Sequence, residues 1–115
     1  FEEAEDRLNR SIAELERLGS AGWLIYARAL LLPCLAARQE WSTFDSVFNQ
    51  AQDEVTKAGI VDGDLAWVFE KAGDLAHAGN QSKAAQGCYQ FALSQWQQLK
   101  RVADVNRVER RLAQS

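Results

Sequence analysis

Apolar residues recur every three or four positions along almost the entire chain, and no other feature of the sequence restricts the fold as much. This spacing puts the apolar side chains on one face of an α-helix. No segment alternates apolar and polar residues as a half-buried strand does, so we expect no β-sheet. The chain has one proline and is rich in alanine, leucine, glutamine and glutamate, which suits helices. The sequence therefore predicts an all-α fold.

Short polar or glycine-containing segments interrupt the helical pattern and divide it into six predicted helices. At 115 residues the chain is predicted to form a single domain over 1–115. The predicted helices cover residues 1–19, 22–38, 42–58, 64–78, 82–99 and 103–113.

The ends of the helices carry recognisable capping residues. Gly19 can take the left-handed conformation that terminates many helices. Ser42 is predicted to cap the third helix, with Asp45 reaching back to it, as in an acidic relative of the capping box. Asp62 or Asp64 can cap the fourth helix, and the sequence leaves both open.

The second predicted helix, WLIYARALLLPCLAAR, is apolar on nearly all sides. We expect such a helix to lie between neighbouring helices. It contains Pro33, which removes one backbone hydrogen bond, so the helix either kinks there or breaks near Leu32. The apolar pattern continues in phase on both sides of the proline, which favours the kink.

Two parts of the chain match each other when they are offset by 41 residues. The first predicted helix fits the same register as half a unit. Antiparallel helices joined by short loops form either a bundle or a repeat array, and the internal match favours an array. The matched positions are Leu31, Leu32, Leu35, Phe44, Phe48 and Ala51 in one unit and Ala72, Gly73, Ala76, Ala85, Tyr89 and Ala92 in the other.

The second of these units, AWVFEKAGDLAHAGNQSKAAQGCYQFAL, resembles the tetratricopeptide repeat (TPR). The resemblance implies antiparallel helix pairs stacked as a right-handed α-α superhelix. Where the other unit has Leu32 for glycine and Phe44 for alanine, we expect the two helices of the pair to lie further apart. The implied units are a half-repeat helix over 1–19, helix pairs over 22–58 and 62–99, and a terminal helix over 103–113.

A repeat near forty residues is similar to the longer TPR variety found in C-terminal regions of large bacterial signalling ATPases, kinases and transcription regulators. The chain begins at Phe1 and has no methionine, so we expect it to be a piece of a longer protein. The resemblance implies a cytoplasmic protein–protein interaction or sensory module of a signalling or regulatory protein. The alternative is a structural part of a helical array, which self-associates through its ends and has no separate ligand.

The family lines its concave surface with the inner helix of each pair. Carried over by register, the implied partner-binding residues are Tyr26, Trp67, Glu70, Asp74 and His77. They form an aromatic surface with an acidic end, suited to a basic or amphipathic segment of a protein or peptide. Alternatively, the two aromatic side chains only pack against neighbouring repeats.

We expect no enzymatic activity, because no catalytic constellation, phosphate-binding loop or paired-cysteine motif occurs. His77 follows two acidic residues on its helix, but this set lacks further ligands, so we expect neither a metal site nor a cofactor. Cys34 and Cys88 lie in apolar helical contexts and are predicted to be buried free thiols, as in cytoplasmic proteins.

The net charge is −3, but the charges are unevenly distributed. Residues 1–20 are mainly acidic and residues 100–111 are mainly basic. These are either solvated helix faces or complementary ends of stacked copies. Arg107, Arg110 and Arg111 form a basic stripe without interleaved aromatic residues. We expect this stripe to solvate the terminal helix, with no contact to nucleic acid. No apolar run reaches the length of a membrane span.

Overall fold

The structure, a computed structural model, describes residues 1–19 and 21–114. It contains six α-helices in this range, and none of the described residues forms a strand. The prediction of an all-α fold is confirmed. The helices are α1 (Glu2–Leu18), α2 (Ala21–Ala37), α3 (Trp41–Ala58), α4 (Gly63–Ala78), α5 (Ser82–Gln98) and α6 (Val102–Gln114).

Several predicted helix ends are confirmed at the level of the backbone. Gly19 ends α1 in the left-handed conformation, at φ 71°, and its amide bonds back to the last turn of the helix. Ser20, the next residue of this predicted end, lies outside the described residues. At the end of α4 the left-handed residue is Asn80, at φ 62°, rather than the glycine before it. Asp62 caps α4, because its Oδ1 accepts hydrogen bonds from the amides of Asp64 and Leu65 at 2.7 and 3.1 Å.

The predicted cap at Ser42 is wrong. The third helix begins one residue earlier, at Trp41, after Glu40, and no side chain hydrogen-bonds to its first turn as a cap. The Trp41 ring packs against Phe44 at 5.6 Å between centroids and against Gly79, where a Cβ atom would come within 2.7 Å of the indole. The start of the helix thus coincides with the contacts of this half-buried indole and has no side-chain cap.

The second helix runs through Pro33 without interruption, as the favoured interpretation predicts, and the alternative of a break near Leu32 is wrong. As its composition predicts, α2 lies between neighbours, since it contacts α1, α3 and α4. Leu32 and Ala29 are completely buried on it. The rest of the core comes mainly from α3, α4 and α5, including Phe44, Val55, Leu65, Phe69, Cys88 and Trp96.

The helices pack on one another through a small set of contacts, in which the consecutive helices α3 and α4 meet little. The pairs α2–α3 and α4–α5 pack within themselves, α2 also packs on α4, and α5 packs on α6. The contact between α4 and α5 is much more extensive than that between α2 and α3. Gly73 permits it, because a Cβ atom there would lie 2.8 Å from two carbons of the Tyr89 ring. The looser pair carries Leu32 at the matching position, as the sequence predicts.

We expect Gly73→Ala to lower the free energy of unfolding by up to about 2 kcal/mol. Overpacking costs about 1–3 kcal/mol and outweighs the gain of about 1 kcal/mol in helix propensity. The Tyr89 ring cannot move away easily, because its hydroxyl donates to Asp74 at 2.6 Å. Urea unfolding followed by circular dichroism measures the change. Gly22→Ala, where a Cβ atom meets nothing within 4 Å, is the matched control and should leave stability unchanged or slightly raised. Equal effects of the two substitutions would contradict the close approach.

Both cysteines are buried and unpaired, as predicted. Burial raises the pKa of the Cys88 thiol far above its ordinary value, with a smaller contribution from Asp45. The thiol therefore stays protonated and packs as a small apolar side chain. No helix among the described residues combines the length and the apolar composition that crossing a membrane requires.

Candidate functional site

Glu70, on α4, is the most enclosed charged side chain of the predicted site, with 4% of its surface exposed. Arg107 of α6 donates to both of its carboxylate oxygens, at 2.7 and 2.8 Å. Arg111 of α6 also donates to it. The indole Nε1 of Trp96, on α5, donates to it at 3.1 Å. One carboxylate therefore joins α4, α5 and α6.

The contacts of Glu70 extend into a larger set of polar side chains, here called the Glu70 network: Glu70, Asp74, Tyr89, Trp96, Asp104, Arg107 and Arg111. Arg107 pairs with Asp104 at 2.7 Å, and Arg111 approaches Asp74 at 3.3 Å. In contrast, Val108 is the one apolar side chain of α6 that is fully buried among the described residues. Val105 and Leu112 pack against the core as partly buried side chains, so α6 is held by this short apolar stripe together with the charge pairs.

The pKa of the Glu70 carboxyl is lower than usual. Burial alone would raise it, but the hydrogen bonds from Arg107 and Trp96 and the charges of Arg107 and Arg111 outweigh that effect. The carboxylate is thus ionised, and it accepts its hydrogen bonds from Trp96, Arg107 and Arg111 inside the protein. The same network raises the pKa of the Arg107 guanidinium, chiefly through its hydrogen bond to Glu70.

The predicted solvated arginine stripe is therefore wrong for Arg107 and Arg111, which are half-buried against α4, whereas Arg110 is exposed. Both half-buried arginines directly precede inward-facing positions of α6, so they flank its apolar stripe and reach the carboxylates of α4. Glu70 is consequently enclosed rather than on a surface open to a partner, whereas the Asp74 side chain, in contact with Arg111, stays 29% exposed.

The remaining predicted binding residues lie in two separate places. Trp67 is 54% exposed on α4, with the Lys71 ammonium 5.4 Å from its ring centroid, and His77 is exposed one helix turn beyond Asp74. Tyr26 is half-buried on α2, and its hydroxyl donates to Asp62 at 3.0 Å. Tyr26 lines a cavity beside α2 that neither Trp67 nor His77 lines.

Tyr26 belongs to an open apolar groove that the sequence did not predict. The floor of the groove is α2, and its walls are α1 and α4, which both pack on α2 but contact each other little. Its volume is about 720 Å³. We call it the α2 groove and define it by Leu8 and Leu15 of α1, Trp23, Tyr26 and Leu30 of α2, and Val68 of α4.

The floor of the α2 groove exposes large apolar side chains. Trp23 is 71% exposed and Leu30 is 44% exposed. A contiguous exposed apolar surface is typical of interaction sites in soluble proteins. The sequence did carry a signal for it, because α2 is apolar on nearly all sides and not every side is covered by a neighbouring helix.

One end of the groove is acidic. A smaller adjoining cavity of about 480 Å³ is lined by Gly22, Trp23, Tyr26, Asp62 and Asp64. It lies where α2 and α4 begin, so we call it the acidic end. The groove therefore combines an apolar floor with carboxylates at one terminus.

Comparison with protein-family models, curated proteins and solved structures gives no match. The resemblance to the tetratricopeptide repeat therefore rests on the residues of this chain alone. Among the described residues, no three histidine, cysteine, aspartate or glutamate side chains come together as a metal site would require.

Proposed function

We propose that this chain is a protein–protein interaction module that holds a segment of a partner protein in the α2 groove. The observation that carries the proposal is the open apolar floor with the exposed side chains of Trp23 and Leu30. Binding, with no catalysis and no cofactor, is the function that such a surface performs. Burying one leucine-sized side chain in it stabilises a complex by about 1.5–3 kcal/mol.

The dimensions of the groove favour a helical segment as the ligand. Leu8 and Leu15 mark its length along α1, and Trp23 and Leu30 mark it along α2. Seven residues of helix span about 10 Å, or two turns. A helix that lies in a groove uses anchors at positions i, i+3 or i+4, and i+7, which cover the same length.

The proposed architecture is a right-handed stack of TPR-like helix pairs, as part of a larger cytoplasmic signalling or transcription-regulating protein. It is supported by the 41-residue match and by the backbone at equivalent helix ends. Gln39 and Asn80 are left-handed, at φ 59° and 62°, and so are Gly59 and Lys100, at 67° and 59°. Both pairs have the 41-residue offset.

Selection from a library of displayed helical peptides tests the groove. We expect peptides that bind the wild-type protein to lose at least about tenfold in affinity for Leu30→Asp, because one apolar anchor is worth more than 1.4 kcal/mol. Val102→Asp replaces a more exposed apolar residue on α6, at 69% against 44% for Leu30, and should bind normally. Trp67→Ala and His77→Ala test the second surface. Binding that survives Leu30→Asp but fails with these two would place the partner on α4 instead.

Self-association is a second candidate function, and exposed apolar residues at opposite ends of the stack favour it. Phe1, just before α1, and Leu18, the last residue of α1, are both exposed. Val102, at the start of α6, is exposed as well. The charge asymmetry between 1–20 and 100–111 would favour contact between unlike ends. Light scattering over a range of protein concentrations tests for self-association. A monomer at every concentration would exclude this function.

A further inference from the structure

We infer that the partner segment is an amphipathic helix with a lysine or arginine at the end that enters the acidic end of the α2 groove. This inference rests on the proposed function and specifies its ligand. The apolar floor takes two turns of apolar side chains, and the acidic end takes the cation.

Asp64 is the carboxylate available to such a cation. Asp62 already accepts hydrogen bonds from two amides of α4 and from the Tyr26 hydroxyl. It therefore offsets the partial positive charge at the start of that helix. Asp64 is exposed, and no ion pair joins it to any other residue within 1–19 and 21–114. It also lies in the first turn of α4, and its exposed carboxylate faces the cavity without a cation from the described part of the chain.

The aromatic rings beside Asp64 also suit a cation. The Trp23 and Tyr26 rings lie 6.4 Å apart between centroids at an angle of 51°, and both line the cavity. A lysine or arginine over an exposed indole face gains a cation–π interaction in addition to the ion pair. This chain already pairs Lys71 with Trp67 and Arg101 with Trp96 in that way, each at 5.4 Å.

Charges elsewhere along the groove give the ligand a direction. Arg10 lines the α1 wall two residues from Leu8, towards the end opposite Asp64. Glu14 also lines it, but that carboxylate is paired with Arg17 at 2.5 Å. A cation on the ligand is therefore favoured at the Asp64 end and disfavoured towards Arg10.

The chain itself shows a helix of this kind seated on its neighbours. On α6, Val105, Val108 and Leu112 face the stack, and flanking arginines reach the carboxylates of α4. The protein thus already binds one helix that has an apolar stripe flanked by cations. The α2 groove offers the same two components at another surface.

The test is a selection from helical peptides that share four apolar anchors and carry randomised residues at both flanks. Wild-type protein should enrich lysine or arginine at one flank by about threefold over glutamine, the size expected for one exposed ion pair. Asp64→Asn should abolish that enrichment and keep the apolar anchors. A synthetic pair of selected peptides, with lysine or glutamine at that flank, should differ in affinity less at high salt.

The outcomes separate this inference from the proposed function. If peptides bind through the apolar anchors with no preference for a cation, or if the preference persists in Asp64→Asn, the inference is overturned and the groove remains a binding site. If no peptide binds, or if Leu30→Asp leaves binding intact, both are overturned. A dimer that Leu30→Asp dissociates, measured by sedimentation, would place a second copy of the chain in the groove and would also overturn the inference.

Discussion

Glu70→Gln is expected to lower the free energy of unfolding by about 3 kcal/mol at neutral pH. Removing one partner of a buried ion pair costs about 3–5 kcal/mol, because the opposite charge stays behind without compensation. The lower end applies here, since the Arg107 and Arg111 side chains are about one-third exposed and water screens them in part. Urea unfolding followed by circular dichroism measures the loss.

The effect of this substitution should depend on pH in a defined direction. Because the pKa of Glu70 is lowered in the folded state, its ionised form stabilises the protein above the unfolded pKa of about 4.3. That stabilisation disappears as the pH falls through the lower, folded value. The difference between wild type and Glu70→Gln should therefore shrink on acidification. Glu3→Gln, at an exposed pair with Arg7, is the control and should change little at any pH. A difference that stays constant down to strongly acidic pH would contradict the role of the ionised carboxylate.

Phe69→Ala is expected to lower the free energy of unfolding by about 3–5 kcal/mol, the cost of removing a fully buried phenylalanine. Phe69 has no exposed surface, and its ring lies 5.9 Å from that of Phe48 and 4.4 Å from that of Phe91. It thus joins α3, α4 and α5 in one aromatic contact chain. The loss is a large fraction of the total stability of a small domain.

Trp67→Ala is the matched control, two residues away on the same helix. More than half of that indole is exposed, so we expect a change of no more than about 1 kcal/mol. Thermal and urea unfolding of both variants, compared with wild type, give the two values. Similar losses from both substitutions would show that α4 does not present these faces to core and solvent as described.

Much of the fold could be predicted because it depends on local information. Helical spacing identified all six helices. Asp62 was one of two predicted caps of α4, and it and the left-handed turn at Gly19 were foreseeable because both depend on a few neighbouring residues. Gly73 and Leu32 occupy equivalent positions in the two helix pairs. The smaller residue predicted that the pair α4–α5 packs more closely than α2–α3. These features need no knowledge of distant contacts.

Features that depend on contacts between distant residues were not predictable. Ser42 has the chemistry of a cap, but α3 begins one residue earlier, where Trp41 packs against Gly79. Glu70 and Arg107 look like surface residues, since neither neighbourhood shows that the arginine side chains of α6 reach α4. Their pairing joins residues far apart in sequence, and charge alone does not specify it.

The candidate site was predicted only in part, for the same reason. Tyr26 was identified, but its neighbours Trp23 and Leu30 were read as part of an enclosed helix. Whether an all-round apolar helix such as α2 is fully covered depends on how far apart α1 and α4 lie. Only the assembled helices determine that distance, and the groove is its consequence.

Methyl NMR tests most directly whether the α2 groove binds a partner helix, as we propose. A selected peptide is titrated into protein labelled at leucine and valine methyl groups. Chemical shifts should change at Leu8, Leu15, Leu30 and Val68, which line the groove, and stay constant at Val47 and Val102. Shifts confined to Val102, or an absence of change at Leu30 under saturating peptide, would contradict binding in the groove.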